Sequence, residues 1–316
     1  MRECGMRKSI TKLFLAALSL LCISGCAGRD VREPEQEIII GVVTKSRNSE
    51  YWMSVNAGME KAAKERNVKT VILSPDTETD KKIQKKMIQD LLKMHVDALA
   101  VSPIDSYDNQ DYYAQALEMG IPVYAYDTPI ADVEVPYIGI DNETVGYELA
   151  RVLADKMEHK GNIAIIAGSR QQTSHEKRIA GFEKYMEQEP DIHIEVEKSG
   201  YSNLRVSEQE MEEIQANYPN LDGIMTTSAV TALGLAEATR GSGIAIATLD
   251  DQEDAIRAVE EGRITVLGAQ SGYEIGYETV KYIVNDKKGI KQDREKILDT
   301  QILTRENVED YQNLKK

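Results

Sequence analysis

The chain has 316 residues and a formal net charge of −15, and because its first 25 residues are basic, the remainder is more acidic still. An acidic surface repels phosphate backbones, which argues against a nucleic-acid partner. A chain of this length is too long for one small core and suits two lobes. The three cysteines, Cys4, Cys22 and Cys26, all lie near the N-terminus, so neither a disulfide framework nor a cysteine-based metal site is expected in the folded body.

The N-terminus has the pattern of an export signal. Basic residues precede an apolar run over residues 13–23, which is too short to span a bilayer. The run ends in the sequence ISGC, and small residues before a cysteine are what a lipoprotein signal peptidase requires. We predict a signal peptide over residues 1–25, a lipid on Cys26 that anchors the chain at the outer face of the cell membrane, and a charged tether over residues 26–37. An ordinary cleaved signal with an incidental cysteine is the alternative.

Beyond the tether, short apolar runs alternate with amphipathic stretches whose apolar residues recur three and four positions apart. The predicted strands are Ile38–Val43, Thr70–Leu73, Ala98–Val101, Pro122–Tyr126, Ile163–Ile166, Ile192–Val196, Gly223–Thr226, Ile244–Leu249 and Thr265–Gly268. The predicted helices are Tyr51–Arg66, Asp80–Met94, Gln110–Met119, Thr144–Met157, Ser174–Gln188, Val206–Asn217, Thr231–Thr239, Gln252–Glu260 and Tyr273–Asn285. This alternation predicts an α/β fold whose parallel sheets are covered on both faces.

The chain also repeats part of its own pattern. Residues 96–102 resemble residues 221–227, and residues 120–127 resemble residues 243–250. In both halves the second segment ends in an aspartate. The repeat predicts two similar α/β lobes.

Polar side chains stand at the carboxyl ends of the predicted strands, where ligands bind in open parallel sheets. Carboxylates accept from neighbouring hydroxyls, and glutamine both donates and accepts, so the set suits a neutral polyol better than a metal or a phosphate. Helix capping is the alternative, although Asp251 could cap the following helix and leave Asp250 free. The candidates are Ser102, Asp127, Ser228 (or its neighbour Thr227), Asp250 and Gln270.

An aromatic pair begins the first predicted helix. Tyr51 and Trp52 follow Ser49 at the end of the first strand. Aromatic faces pack well on the C–H patches of sugar rings, which makes the two rings candidates for ligand binding. Ser49 beside them is a further candidate. Adjacent helical residues point about 100° apart, so at most one of the two rings is expected to contact the ligand centrally. The alternative to an aromatic pair at the site is that Trp52 belongs to the core and only Tyr51 faces the cleft.

A second helix start carries Ser174 and Arg178, four residues apart on one helical face. The guanidinium has five donors and can bridge two ligand hydroxyls, or a hydroxyl and Asp250. The neighbouring Lys177 has the pattern of solvated surface.

No catalytic motif stands out. The four histidines are scattered without metal-ligand spacing, and no GxSxG, P-loop or HExxH sequence occurs. A glycosidase that uses Asp127 and Asp250 as its paired carboxylates is the enzymatic alternative. We expect no catalysis, no metal and no cofactor.

Several short motifs are similar to those of one family, the ribose/galactose-type periplasmic binding proteins, which are related to the ligand-binding cores of lac-repressor-type regulators. The resemblance extends from Ile38 to about Gln312. The motifs are SVNAG at 54–58, GIPV at 120–123 leading to Asp127, IDN at 140–142, RIAGF at 178–182, ALG at 232–234 after Ser228, LD at 249–250 and LTRENV at 303–308.

The resemblance implies two Rossmann-like lobes with parallel sheets, joined by a three-crossover hinge, as in the type I periplasmic binding proteins. It assigns residues 38–140 and 271–298 to the N-terminal lobe, and residues 141–270 and 299–316 to the C-terminal lobe. Asp127 and the aromatic pair would face the ligand from the first lobe. The groups closing from the second lobe would be Arg178, Ser228, Asp250 and Gln270.

Departures from the family pattern put ribose itself in doubt. Thr128 stands where ribose-type proteins have Arg, Ser102 and Ser228 stand where they have Asn, and Tyr51 and Trp52 replace two Phe. A different or larger ligand is therefore expected.

The implied function is an extracytoplasmic, monomeric receptor that closes on a sugar or sugar-like ligand and delivers it to an ABC permease. The alternative is a sensor that presents its closed form to a membrane histidine kinase or chemoreceptor. A transcription factor of the same fold is excluded because an export signal occupies the place of a DNA-binding segment.

Overall fold

The computed structural model describes residues 37–314. The predicted signal peptide, Cys26 and the tether up to residue 36 lie outside this range and stay predictions. Among the helices of the described range, none combines the length and apolarity that a membrane crossing requires.

Twelve strands and ten helices alternate along the described chain. The strands are β1 (Ile39–Val43), β2 (Lys69–Leu73), β3 (Ala98–Val101), β4 (Val123–Tyr126), β5 (Tyr137–Gly139), β6 (Gly161–Ala167), β7 (Ile192–Ser199), β8 (Gly223–Thr226), β9 (Ala245–Leu249), β10 (Val266–Ala269), β11 (Glu295–Ile297) and β12 (Gln301–Leu303). The helices are α1 (Glu50–Arg66), α2 (Lys81–Lys93), α3 (Gln110–Glu118), α4 (Asn142–Lys156), α5 (Thr173–Met186), α6 (Leu204–Asn217), α7 (Ala229–Ala238), α8 (Glu253–Glu260), α9 (Gly272–Lys287) and α10 (Val308–Leu314).

The strands form two six-stranded sheets of the same design. The first has the order β11-β5-β4-β3-β1-β2 and is parallel throughout. The second has the order β12-β10-β9-β8-β6-β7 and is parallel except for β12, which runs antiparallel to β10. The chain passes between the sheets three times, after β5, after β10 and after β11. The predicted fold class, two α/β lobes joined by three crossovers, is confirmed.

Both faces of each sheet are covered by apolar side chains. In β1, Ile40 and Val42 pack in one cluster with residues of α1 and α9, whereas Val43 packs on the other face with residues of α2 and α3. The second sheet is covered in the same way by two further clusters. Strands buried on both faces read as continuous apolar runs, which is why the sequence predicts them well.

Close helix pairs set the positions of the helices that begin at the cleft. A Cβ added to Gly58 of α1 would collide with the backbone of Tyr273 in α9, and one added to Gly181 of α5 would collide with the backbone of Glu143 in α4. Glycine at these two positions therefore lets each helix pair approach closely. These are the glycines of the SVNAG and RIAGF motifs, and their helices carry Tyr51 and Arg178.

Candidate functional site

A cleft of about 650 Å³ lies between the two lobes, at the carboxyl ends of their parallel strands. It is lined by all the predicted ligand-binding residues except Ser102. Ser102 is fully buried, and its hydroxyl donates to Asp127 Oδ2 at 3.1 Å. It therefore supports the cleft from behind, because its one hydroxyl proton is directed at a protein carboxylate.

Asp127 is the centre of the N-terminal half of the site. It follows β4 with a φ of 59°, and its backbone N–H donates to Ile138 O across the sheet. Its carboxylate accepts from four protein groups. They are the Tyr51 hydroxyl at 2.7 Å, Ser102, the Thr128 hydroxyl at 2.8 Å and Lys45 Nζ at 3.0 Å. A carboxylate has about four acceptor positions, so this one is saturated by the protein.

The surroundings of Asp127 keep it ionised. Burial raises the pKa of Asp127. The charges of Lys45 and Arg178 and the hydrogen bond from Tyr51 together lower it by more than burial raises it, so the pKa is about 2. Burial and the charge of Asp127 also hold the pKa of Tyr51 well above its ordinary value, so the Tyr51 hydroxyl remains a donor.

Lys45 is a site residue that the sequence reasoning missed. It is 2% exposed, and its ammonium donates to Thr128 Oγ1 at 2.6 Å and to Gln172 Oε1 at 2.7 Å in addition to its ion pair with Asp127. It supplies a cation beside Thr128, the position at which the resemblance to ribose-type proteins implies an Arg. The residue directly after the β1 apolar run is Thr44, and Lys45 stands one position further, so a search of strand-end residues passes over it.

Both rings of the aromatic pair lie in the wall of the cleft. Their centroids are 5.2 Å apart in an edge-to-face arrangement. Trp52 also packs against Tyr126 in the core, donates from Nε1 to Glu78 Oε1 at 2.9 Å, and has Lys45 Nζ 5.4 Å from its ring centroid. Trp52 therefore fits both alternatives in part. One side of its ring packs in the core, and the other side lines the cleft.

Arg178 organises the C-terminal half of the site. Its guanidinium donates to Asn142 Oδ1 and to the Thr227 carbonyl, both at 2.8 Å, and to Gln270 Oε1 at 3.3 Å. The predicted bridge from Arg178 to Asp250 is not a direct hydrogen bond. Gln270 stands between them and donates from Nε2 to Asp250 Oδ1 at 2.6 Å, because an amide can accept at one end and donate at the other.

Asp250 is less fully bonded than Asp127. It follows β9 with a φ of 79° and accepts from Gln270 and from the backbone N–H of Ala229 at 3.2 Å, at the start of α7. Burial raises the pKa of Asp250, and Arg178 with these two hydrogen bonds only partly offsets that effect, so the pKa is about 6. Two of its acceptor positions remain for a ligand.

The helix-capping alternative is only partly realised. Asp250 does serve the N-terminus of a helix, but it is α7 rather than the helix that follows it in sequence. The idea that Asp251 caps the following helix is wrong, since α8 has Gln252 at its N-cap and Asp251 accepts from the Tyr311 hydroxyl at 2.9 Å. The tertiary contact with α10 cannot be read from local sequence.

The four serine and threonine candidates other than Ser102 differ in what they face. Ser49 and Ser228 occupy N-cap positions, but neither side chain makes a cap hydrogen bond, and both residues line the cleft. The Ser174 hydroxyl lies 2.8 Å from that of Thr128 in the opposite lobe. The Thr227 hydroxyl accepts from the Gly168 N–H and bonds His175 Nδ1, so of the two neighbours Ser228 is the one at the cleft.

The lobes meet in a closed arrangement. Gln172, at the start of α5, joins them by accepting from Lys45 and by donating to Glu78 Oε2 at 3.2 Å. Nearby, Thr173 donates to the Pro129 carbonyl at 2.8 Å. Gln172 and Glu78 were also missed by the sequence reasoning, because they lie in loops and become site residues only when the lobes close.

The charged side chains that line the cleft give it no strong net charge of either sign. The charged residues of its lining are Lys45, Arg178 and Arg205 on one side of the balance and Asp76, Glu78, Asp127 and Asp250 on the other. Burial, with Arg178 and Lys45 close by, holds the pKa of His175 well below its ordinary value, so this ring is neutral. Within residues 37–314, no group of three His, Cys, Asp or Glu side chains is arranged to hold a metal ion. The arrangement suits a neutral ligand with many hydroxyls.

Comparison with known proteins agrees with this geometry. The family model described as "Periplasmic binding protein domain" matches residues 40–290. The ribose import binding protein of Bacillus subtilis is 25% identical over 279 residues, which cover 86% of this chain and 90% of that protein. The D-allose-binding periplasmic protein of Escherichia coli is 25% identical over 265 residues, covering 79% and 85%.

A solved structure supports the same fold. It is a periplasmic solute-binding protein of an ABC transporter from Actinobacillus succinogenes with bound D-allose, and it superposes with a TM-score of 0.80 at 23% identity, covering 87% of this chain and all of that one. By their names, these relatives are sugar-binding proteins of import systems or of the periplasm. The chain belongs to the periplasmic binding protein domain family.

Proposed function

We propose that the protein is an extracytoplasmic lipoprotein that captures a neutral sugar by hinge closure and delivers it to an ABC importer. One observation supports this most strongly. The hydrogen-bonded side chains Arg178, Gln270 and Asp250 present unused donors and acceptors to a cleft whose opposite wall is aromatic. Sugars combine vicinal hydroxyls with apolar C–H faces, so they match both walls.

Closure is the mechanical step of the proposal. The bodies that move are the predicted lobes, residues 38–140 with 271–298 and residues 141–270 with 299–316. In the closed state Gln172 and Ser174 of the second lobe bond Lys45 and Thr128 of the first. A ligand that also bonds both lobes favours this state over an open one and shifts the equilibrium towards it. A permease would recognise the monomeric receptor in this closed state.

The anchor and the partner follow from the sequence and from the relatives. An N-terminal lipid on Cys26 would hold the receptor at the outer face of the cell membrane, near its permease. Labelling with radioactive palmitate tests this, since the wild-type chain should incorporate it and the Cys26→Ser variant should not. If the variant is labelled equally, the anchor lies elsewhere.

A thermal-shift screen tests ligand capture. The mature chain is heated with pentoses, hexoses and disaccharides, each in excess. A sugar at 100 times its dissociation constant stabilises the folded state by about 2.7 kcal/mol, which raises Tm by several degrees. If no sugar of the panel raises Tm, the proposal of a sugar receptor is contradicted. Uptake of the identified sugar is then measured in cells that lack the protein. Reduced uptake supports delivery to an importer, and unchanged uptake supports the membrane-sensor alternative.

A further inference from the structure

The cleft continues beyond the groups described above to an outer rim made by two loops. One is the segment 76–79 after β2 in the first lobe, and the other is the segment 201–206, which leads from β7 into α6 in the second lobe. At about 650 Å³ the cleft holds the liquid volume of roughly twenty water molecules. A single sugar ring bound between Asp250 and the aromatic wall fills only part of that space.

The rim of the second lobe contains a costly turn. Tyr201 and Ser202 have φ values of 52° and 50°, and the Asn203 N–H donates to the Gly200 carbonyl at 2.9 Å, as in a type I′ turn. Both central positions of this turn require positive φ and normally hold Gly, Asn or Asp. The same pair of positive φ values occurs at Glu158 and His159, which do not line the cleft. The turn at Tyr201 matters here because it holds a tyrosine side chain at the cleft.

That side chain belongs to Tyr201, which stacks on no other aromatic ring of residues 37–314. Tyr201 is 46% exposed and lines the cleft. An exposed aromatic face at the edge of a polar cleft is a platform for an apolar ring face.

Donors beside Tyr201 are also uncommitted. Arg205 forms no ion pair with any residue between 37 and 314, and Asn203 uses its Oδ1 to cap α6 at Val206 N while its amide group has no partner in that range. On the facing rim the carboxylates are already occupied. Glu78 accepts from Trp52 and Gln172, and Asp76 is paired with Arg47.

We infer that Tyr201, Asn203 and Arg205 form an outer subsite for a second sugar ring, so that the ligand class of this cleft is a disaccharide or a glycoside. This inference rests on the proposed function. The inner ring lies between Asp250 and the aromatic wall, and the outer ring stacks on Tyr201 while Asn203 and Arg205 donate to its hydroxyls. Sugar hydroxyls fit because Glu78 and Asp76 already accept from protein donors, and the Arg205 guanidinium, which only donates, suits hydroxyl oxygens.

Calorimetric titration of the mature chain tests the subsite. The probes are maltose, cellobiose, lactose and sucrose, each compared with glucose, galactose and fructose. At least one disaccharide should bind about tenfold or more tightly than either of its component sugars, since a stacked ring and two added donors contribute that much. Tyr201→Gly should remove this preference and, because it relieves the positive φ, raise the Tm of the ligand-free protein.

Ser202→Gly is the matched control. It relieves the same kind of strain one residue away and keeps the Tyr201 ring, so it should raise Tm similarly and retain the preference for the disaccharide. Equal affinity for single and double sugars would overturn the subsite while leaving the sugar receptor intact. An unchanged preference in Tyr201→Gly would overturn it as well. No binding of any sugar, single or double, would overturn the proposed function itself and the subsite with it.

Discussion

Each lobe presents one buried aspartate to the cleft, and the two differ in how the protein surrounds them. Asp127 follows β4 and Asp250 follows β9, both with positive φ and both less than a tenth exposed. Asp127 accepts from four protein groups, one of them the Lys45 ammonium, and its pKa is about 2. Asp250 accepts from one amide and one backbone N–H, and its pKa is about 6.

We propose that this difference separates a structural carboxylate from one that is open to ligand. The internal repeat places the two aspartates at corresponding strand ends, but the neighbouring side chains decide which has acceptor capacity left. Asp127 holds Lys45, Tyr51 and Thr128 in place. Among residues 37–314, no cation is bonded directly to Asp250, which retains free lone pairs. In a site built from two similar lobes, equivalent positions therefore need not have equivalent roles.

The largest expected effect concerns the Asp127 half. Asp127→Asn leaves the buried Lys45 ammonium without its counter-charge, and breaking a buried pair in this way costs about 3–5 kcal/mol. Urea unfolding of the ligand-free protein measures the loss. The double variant Asp127→Asn, Lys45→Met removes both charges and should be less destabilised than the single variant. If Asp127→Asn is as stable as the wild type, the structural role of this carboxylate is wrong.

The pH dependence of stability should separate the two aspartates. Asp250 has a folded-state pKa of about 6 against an ordinary value of 3.8, so the folded protein binds its proton more tightly than the unfolded chain does. Its stabilising contribution is therefore present below pH 4 and is lost as the pH rises to about 6, a change of about 3 kcal/mol. Asp127 has the opposite sign, since its contribution is present above pH 4 and is lost only as the pH falls towards 2.

Asp250→Asn isolates this effect. Measured by urea unfolding between pH 4 and 7 without ligand, the variant should gain stability over the wild type as the pH rises, because the wild type must ionise a buried carboxylate and the variant need not. A constant difference across that range would mean that Asp250 titrates normally.

Much of the fold is predictable from the sequence because doubly covered parallel strands are continuous apolar runs and their helices are amphipathic. The three-residue strands β5, β11 and β12 are too short to give such a signal, and the antiparallel direction of β12 depends on a hinge crossing that local sequence does not encode. The strand ends likewise locate Asp127 and Asp250, since the carboxyl edge of the sheet is fixed by topology.

Other parts of the site depend on contacts that no local pattern contains. Lys45 and Gln172 are 127 positions apart and meet only when the lobes close. The burial of Ser102 behind Asp127 follows from the packing of neighbouring strands. The sequence thus identifies the groups that a strand end positions, and it misses those that a second lobe brings in.

Ligand titration of Asp250→Ala against the wild type, at pH 7.5 and with the best sugar from the thermal-shift screen, tests the central claim most directly. Asp250 is the acceptor left open to ligand hydroxyls, so the variant should fold and bind that sugar at least about 100-fold more weakly, as expected for the loss of charge-assisted hydrogen bonds. An Asp250→Ala variant that binds the sugar with wild-type affinity would contradict the assignment of this carboxylate, and with it the proposed position of the sugar in the cleft.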